Sequence, residues 1–262
     1  MTRQKFTHRT ATRWGIATML GMLFVAGCAA NSDDEAEPPD APRQQQPQPA
    51  EAHAESTEGV PISELVDAQW SDAVASEHGI PQRAMLAYAG AALRIAETHP
   101  ECQIGWNTLA AIGSVETSHA SFDEAGLDSQ GVATPEIIGP VLDGSDGVME
   151  VEDTDDGKYD GDTAWDRAVG PMQFLPETWQ THAVDGNRDG ETDPHQIDDA
   201  VLTAGIYLCE STDDLTDDDD WVQAVTTYNQ SMDYVRDVAA VATAYEDTAS
   251  AAASAATVVA IR

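Results

Sequence analysis

Residues 113–119 read GSVETSH and place a lone carboxylic acid, Glu116, at the end of the apolar stretch 109–115. Apolar neighbours disfavour the charged form of a carboxyl group, so we expect a raised pKa for Glu116. A carboxyl group that keeps its proton near neutral pH can act as a general acid. On this segment alone, an exposed glutamate at a helix end is an equally good interpretation.

Two further segments combine polar and apolar side chains in a helical context. Residues 168–179 read AVGPMQFLPETW, where a Gly-Pro turn opens a helix and Gln173 stands between two large apolar residues. Residues 225–229 read VTTYN and place a Tyr-Asn pair on a partly apolar helix. These polar residues are candidates for binding a ligand. For Tyr228 the alternative is a core aromatic with a hydrogen-bonded hydroxyl.

The elements that position these segments are predicted to be helices. Apolar side chains recur at helical spacing in five stretches, residues 62–74, 81–96, 106–118, 198–209 and 219–245. Strand-like alternation is nearly absent. The sequence therefore predicts a mainly α fold, with a long Gly/Asp-rich insertion at about residues 123–166.

Residues 1–27 have the organisation of an export signal. A basic start precedes an apolar run from Trp14 to Ala26, which is shorter than the roughly 20 residues that span a bilayer. Residues 25–28, VAGC, resemble a bacterial lipobox, which implies cleavage before Cys28 and diacylglycerol on its sulfur. The alternative is an ordinary signal peptide followed by an incidental cysteine.

Residues 28–59 are expected to form a disordered tether, because they leave too little apolar surface to bury. Fully extended, about 30 residues could reach on the order of 100 Å. The folded domain is expected over residues 60–248, and residues 249–262 are expected to be a flexible tail.

The chain has a strong excess of acid, with 47 Asp+Glu against 12 Lys+Arg and a formal net charge of −35. A nucleic-acid-binding surface must be basic to meet phosphate, so that class of protein is excluded. The acidity fits either a surface adapted to high salt or repulsion from an anionic partner.

Cys102 and Cys209 are the two cysteines left once Cys28 is set aside. In an exported protein such a pair is expected to form a disulfide bond. A metal pair is disfavoured, because neither cysteine belongs to a CxxC motif. Zinc is not expected elsewhere either, since the histidines lack i,i+4 partners: His119, His182 and His195.

Taken together, the three polar segments resemble the lytic murein transglycosylases, specifically the membrane-bound B type with a lysozyme-like helical fold. Members show a helix ending in Glu-Ser/Thr, then Gly-Pro-Met-Gln-Phe, then Ala-Tyr-Asn, in this order. The resemblance covers about residues 62–247, and residues 160–170, DGDTAWDRAVG, are similar to actinobacterial members. The departures are Thr117, where many members have Ser, and Thr227, where most have Ala; neither removes the chemistry.

The resemblance implies that Glu116 is the single acid/base in cleavage between N-acetylmuramic acid and N-acetylglucosamine of peptidoglycan. Glu116 would protonate the glycosidic oxygen and then take a proton from the muramoyl C6 hydroxyl, which closes a 1,6-anhydro ring. An internal hydroxyl replaces water, so the second carboxylate of ordinary glycosidases is unnecessary. The substrate-binding residues implied are Thr117, Met172, Gln173, Phe174, Tyr228 and Asn229. Tyr228 and Asn229 would hydrogen-bond Glu116 or the sugar N-acetyl group, and Met172 and Phe174 would be apolar walls.

With the N-terminal pattern, this implies a monomer lipid-anchored to the outer face of the cytoplasmic membrane that acts on glycan strands without a required cofactor. A structural calcium ion is one interpretation of residues 185–199, DGNRDGETDPHQIDD, which have oxygen ligands and a glycine at EF-hand spacing. Position 12 is Gln196, but some B-type members close a 15-residue loop with an acid. The ligands would be Asp185, Asn187, Asp189, the Glu191 backbone carbonyl and Asp199. The alternative is a solvated Asp/Gly turn.

Residues 153–162 have a calcium-like composition, but their spacing fits no loop, so we expect an acidic surface segment beside the cleft. Two other functions stay open, and a third is disfavoured. A muramidase of the same fold would need a second catalytic acid, such as Asp123 or Asp166. Glu177 is rejected for that role, because an acid in the first turn of a helix is explained by the helix dipole. A non-catalytic cell-wall-binding lipoprotein would use the cleft only for recognition. A solute-binding lipoprotein would need α/β repeats, which are lacking.

Overall fold

The computed structural model describes residues 37–53 and 58–246, and within these ranges the fold is mainly helical, as predicted. The export signal, Cys28 and residues 249–262 lie outside the described residues. The helices are α1 (Ala68–His78), α2 (Gln82–Thr98), α3 (Trp106–Thr117), α4 (Pro176–His182), α5 (Ile197–Ser211), α6 (Asp218–Tyr228) and α7 (Met232–Ala244). Two short antiparallel strands, β1 (Gly126–Leu127) and β2 (Ala133–Thr134), lie in the connection between α3 and α4. Three single 3-10 turns cover Glu51–His53, Ile62–Glu64 and Ser145–Gly147.

Helix α2 forms the centre of the core and packs against α1, α3 and α5. Its many small residues let neighbouring backbones approach closely: a Cβ at Gly90 would overlap the carbonyl of Ile62. The predicted disulfide is confirmed, because Cys102 and Cys209 are bonded. It joins the connection between α2 and α3 to the last turn of α5.

The single helix predicted over residues 219–245 is wrong, because the chain breaks between α6 and α7. Asn229 has an extended backbone, with φ −149° and ψ 119°, and its side-chain oxygen accepts a hydrogen bond from the Ser231 N–H at 3.1 Å. Ser231 then caps the next helix through the Tyr234 N–H. Asn and Ser side chains favour such turns and caps over a helix interior, and here this local preference prevails over apolar periodicity.

The disordered tether expected over residues 28–59 is wrong for residues 37–53, which lie against the helical domain. The Asp67 N–H donates to the Gln48 carbonyl at 2.9 Å, and the Ala50 N–H donates to the Leu65 carbonyl at 2.8 Å. A Pro/Gln-rich segment cannot form its own core, but its backbone can pair with groups that the domain leaves open. Residues 41–50 are called the strap below.

No helix in residues 37–53 and 58–246 combines the length and the apolar character that crossing a membrane requires.

Candidate active site

Glu116 occupies the last turn of α3, a helix that is buried over most of its length. The helix ends directly after it, where Ser118 adopts the left-handed conformation with φ 50°. The Glu116 side chain is half-buried at this turn. Burial raises the pKa of Glu116 to about 7, in agreement with the expectation from its apolar neighbours.

Tyr234 on α7 is the side-chain hydrogen-bond partner of Glu116, and sequence reasoning missed it. Its hydroxyl donates to Glu116 Oε1 at 2.6 Å. This bond favours the charged carboxylate, so it lowers the pKa of Glu116 against the larger effect of burial. The sequence signal that could have found Tyr234 is the polar break at residues 229–231. This break starts a new helix, α7, and so gives Tyr234 an orientation independent of the helix that carries Tyr228.

Tyr228 was predicted to hydrogen-bond either Glu116 or the sugar N-acetyl group, and in the structure its hydroxyl does not bond to Glu116. Its hydroxyl donates instead to the Met172 carbonyl at 2.6 Å, which ties α6 to the Gly-Pro segment. Asn229 caps the end of α6 and uses its side-chain oxygen in the turn to Ser231. Both Tyr228 and Asn229 keep part of their surface exposed, so both remain accessible to a ligand.

The Gly-Pro segment is held against the end of α3 by Thr117. The Thr117 hydroxyl donates to the Pro171 carbonyl at 2.7 Å and accepts from the Ala120 N–H at 3.0 Å. Gln173 has φ 49°, and its amide donates to the Gly170 carbonyl at 2.9 Å. The turn thus presents a partly exposed Gln173 two residues after Pro171, whose carbonyl is bonded to Thr117 of α3.

Three of the predicted substrate-binding residues are core residues instead. Thr117, Met172 and Phe174 are only 2%, 0% and 3% exposed. Phe174 packs edge-on against Tyr228 and beside Trp179. Side chains without exposed surface cannot contact a glycan in this structure. These buried side chains instead form the core on which the partly exposed residues Gln173 and Tyr228 rest.

His119 is buried beneath the end of α3 and was not assigned a site role from the sequence. Its Nδ1 and Nε2 atoms lie 3.1 and 3.2 Å from the hydroxyls of Tyr88 and Tyr245. Burial lowers the pKa of His119 to about 4, so the imidazole is neutral at physiological pH. It connects α2, α3 and the end of α7, and it supports the turn that carries Glu116.

Two large apolar side chains in the described ranges are exposed near the candidate site, one in the loop after α3 and one beside Gln173. Phe122 is 54% exposed in the loop that follows α3, and Ser121 ties that loop to the Thr117 carbonyl at 2.9 Å. Ile138 is 38% exposed, and its neighbour Gly139 would place a Cβ 3.0 Å from Gln173 Oε1. Exposed apolar side chains beside polar groups are typical of binding surfaces.

The acidic segment 153–166 is folded against itself. Asp166 is fully buried, and its carboxylate accepts from the Thr154 N–H at 2.9 Å and the Thr154 hydroxyl at 2.7 Å. Carboxylate oxygens of Asp153, Asp155 and Asp166 come within 4.8 Å of one another. The sequence predicted an acidic surface segment here and did not predict this convergence.

The predicted calcium ligands of the loop 185–199 are linked by hydrogen bonds within the loop, but its carboxylate oxygens do not converge as closely as those of Asp153, Asp155 and Asp166. Asp199 Oδ1 accepts from the Gly186 N–H at 2.8 Å, and the Gly190 N–H donates to Asp185 Oδ2 at 3.0 Å. Asn187 and Asp189 are joined by a side-chain hydrogen bond of 2.9 Å, and Glu191 donates its N–H to Asp189 Oδ1. Burial raises the pKa of Asp199 to about 6 despite its backbone hydrogen bonds.

Residues 150–256 match the family model of the transglycosylase SLT domain. This match supports a lytic transglycosylase of the lysozyme-like superfamily. It supports lytic transglycosylase activity on peptidoglycan at the level of the family. The matched range includes Gln173, Tyr228, Asn229 and Tyr234, whereas Glu116 precedes it. The comparisons with curated proteins and with solved structures gave no match.

Proposed function

We propose that the protein is a lytic transglycosylase that cleaves the β-1,4 bond between N-acetylmuramic acid and N-acetylglucosamine and leaves a 1,6-anhydromuramoyl end. Glu116 is the single acid/base. The observation that carries the proposal is the half-buried Glu116 carboxyl group, whose pKa is raised by burial to about 7 and whose Oε1 accepts from the Tyr234 hydroxyl at 2.6 Å. Such a group can both donate and accept a proton near neutral pH.

In the first step, protonated Glu116 donates its proton to the glycosidic oxygen as the bond from muramoyl C1 to that oxygen breaks. The Glu116 carboxylate formed in this step is stabilised by the Tyr234 hydroxyl. In the second step, the muramoyl C6 oxygen bonds to C1 and its proton returns to Glu116. Every proton is accounted for, and the enzyme is restored without water.

The surroundings of the other acids support a single catalytic carboxylate. Asp166 is buried and both its oxygens are engaged by Thr154, so it is poorly placed to activate water. Glu177 lies exposed in the first turn of α4, as expected for an acid that complements the helix dipole. Asp123 is exposed in the loop after α3 and is the candidate that remains for the second acid of a muramidase once Asp166 is set aside.

Mass spectrometry of muropeptides released from purified peptidoglycan by the full chain in detergent tests the proposal. We expect products lighter by one water than the reducing products of a hydrolase. Reducing ends would instead indicate a muramidase, and Asp123→Asn would then identify its second acid. If no muropeptides are released, the result would favour a non-catalytic, wall-binding protein.

Tyr234→Phe is expected to move the alkaline limb of the pH–rate profile to higher pH by up to about one unit. One unit of pKa corresponds to about 1.4 kcal/mol, which is the size of a typical hydrogen bond. The direction follows because the Tyr234 hydrogen bond lowers the pKa of Glu116, so its removal raises that pKa and prolongs protonation. The measurement is kcat/KM against pH on isolated glycan strands. Tyr245→Phe is the matched control, because its hydroxyl lies against His119 rather than Glu116. An unshifted limb in Tyr234→Phe would contradict the assignment.

The loop 185–199 is proposed to hold a structural calcium ion. The donor set fits this ion, because it consists of carboxylate and amide oxygens at EF-hand spacing. Asp185 Oδ1 is buried without a hydrogen-bond partner in the described structure, and the charge of Asp185 adds to the raised pKa of Asp199. A divalent cation would neutralise these adjacent acids.

Calcium is therefore expected to raise the thermal unfolding midpoint of the full chain, and Asp185→Asn should abolish the rise. Binding is measured by calorimetry with CaCl₂, with MgCl₂ as the control ion. Asp193→Asn, which changes an acid of the same loop outside the predicted ligand set, should still bind. No binding at millimolar calcium would exclude the site.

The placement of the chain is also a proposal. The lipobox-like residues 25–28 support export and acylation of Cys28, which would hold the protein on the outer face of the cytoplasmic membrane near peptidoglycan. The protein is proposed to act there as a monomer. Two or three acyl chains would anchor it far more stably than one.

A further inference from the structure

The start of α3 depends on the strap for its capping. The N-cap residue is Gly105, which has no side chain to accept from the first N–H groups of the helix. The strap supplies these acceptors. Gln44 Oε1 accepts from the Gly105 N–H at 2.8 Å and the Thr108 hydroxyl at 2.9 Å, and the Gln45 carbonyl accepts from the Trp106 N–H at 3.0 Å.

Asn107, in the first turn of α3, links the strap to a second helix. Its Oδ1 accepts from the Gln45 N–H at 2.8 Å. Its Nδ2 lies 3.1 Å from the Arg43 carbonyl and 3.2 Å from the Ala242 carbonyl near the end of α7. Asn107 is fully buried, so these bonds are shielded from competing water.

Two more contacts extend the strap to the ends of α6 and α7. The Arg43 side chain pairs with Glu246 at 2.7 Å, directly after α7, and the Arg43 N–H donates to the same carboxylate. The Ala41 N–H donates to Asp218 Oδ1 at 2.8 Å, at the start of α6. The strap thus bonds to the three helices that carry or directly precede the site residues: Glu116 on α3, Tyr228 and Asn229 on α6, and Tyr234 on α7.

The identity of residue 105 provides an independent observation. A Cβ at Gly105 would overlap the Gln45 nitrogen and Asn107 Oδ1. The Gly105 backbone has φ −95°, which any residue can adopt, so conformation does not require glycine here. The close approach of the strap does.

We propose that the strap is a positioning segment that sets Glu116 on α3 in register with Tyr234 on α7. The catalytic part of this inference rests on the proposed function. At Glu116 the two helices are joined by the Tyr234 hydrogen bond. Their opposite ends are joined by Asn107, which bonds to the Ala242 carbonyl and is itself held by the strap, and by further bonds of the strap to both ends. Displacing the strap therefore lets the far ends of α3 and α7 move and changes the environment of the Glu116 carboxyl group.

The test compares three variants of the full chain in detergent. Gln44→Ala removes the acceptor for Gly105 and Thr108, Gln44→Glu keeps an acceptor oxygen there, and Gln48→Ala changes an exposed side chain of the same strap. Small displacements of catalytic groups can cost up to about 100-fold in rate. We expect kcat to fall roughly tenfold in Gln44→Ala with KM within about twofold. Most of kcat should return in Gln44→Glu, and Gln48→Ala should match the wild type.

A second measurement does not depend on activity. Carboxyl carbon NMR follows the titration of Glu116, which we expect to shift toward lower pH in Gln44→Ala as water reaches the site. A lower melting temperature with unchanged kcat and unchanged Glu116 titration would make the strap a stabilising segment only and overturn the proposal. If wild type releases no muropeptides, the proposed function fails, while the titration still decides the strap. If Gln44→Ala does not fold, Arg43→Ala tests the same linkage through Glu246.

Discussion

Glu116→Gln is expected to lower kcat at least 100-fold while leaving the fold and the affinity for glycan strands nearly unchanged. General acid catalysis contributes roughly 10²–10⁴-fold, and in the proposed mechanism the same carboxyl group also serves as the base. Glutamine is nearly isosteric and can still accept from the Tyr234 hydroxyl, so packing at the end of α3 should persist. The measurement is the rate of anhydromuropeptide release at substrate saturation.

The matched control is Glu177→Gln, which changes an exposed acid on α4 and should retain wild-type turnover. Residual activity of Glu116→Gln above about one per cent of wild type would assign the chemistry to another group.

The same variant has an expected stability signature. The pKa of Glu116 is about 7 in the folded protein, above its ordinary value of 4.5, so the folded state binds more protons between these pH values. The contribution of Glu116 to stability is therefore fully present below pH 4.5 and is lost as pH rises through about 7. Glutamine carries no such penalty, so Glu116→Gln should melt higher than wild type at pH 8. A lower melting temperature at pH 8 would show that the carboxylate is better solvated than the structure indicates.

The double variant Cys102→Ser/Cys209→Ser is expected to lose about 4–5 kcal/mol of unfolding free energy. The disulfide spans 107 residues, and in the chain-entropy model a loop of about 100 residues contributes roughly 4.7 kcal/mol. Both cysteines are at least nine-tenths buried, so serine also places two hydroxyls in apolar surroundings. Urea unfolding at neutral pH, followed by tryptophan fluorescence, measures the change.

Reductant supplies the control for this prediction. It should lower the urea midpoint of wild type toward that of the double variant and leave the double variant unchanged. A wild-type midpoint that does not respond to full reduction would contradict a stabilising role of the bond. Activity at low temperature should survive in both forms, because neither cysteine is among the residues that contact Glu116.

The strap also changes how far a lipid-anchored enzyme could reach. A free tether over residues 28–59 would extend on the order of 100 Å. With residues 41–50 bound to the domain, about 13 residues separate Cys28 from the strap, which span at most about 45 Å when extended. Acylation of Cys28 would therefore confine the active site to glycan strands close to the membrane.

Apolar periodicity predicted most helices because each buries one face against the same core. It failed at residues 229–231, where Asn and Ser side chains compete for backbone hydrogen bonds within a few residues. It also failed at the strap, whose composition contains almost no apolar signal. The strap is ordered through hydrogen bonds to Asn107, Gly105 and Glu246, and these partners lie between 61 and 203 positions away in the chain.

The types and local spacing of residues were enough to single out Glu116, its raised pKa, the disulfide pair and the Gly-Pro and Tyr-Asn segments. These features follow from near neighbours along the chain or from the chemistry of the side chain itself. The partner of Glu116, the burial of Met172 and Phe174, and the capping of α3 by the strap were decided only in the folded protein. Each depends on which surfaces meet when the helices pack, and a hydrogen bond across 118 residues leaves no periodic trace in the sequence.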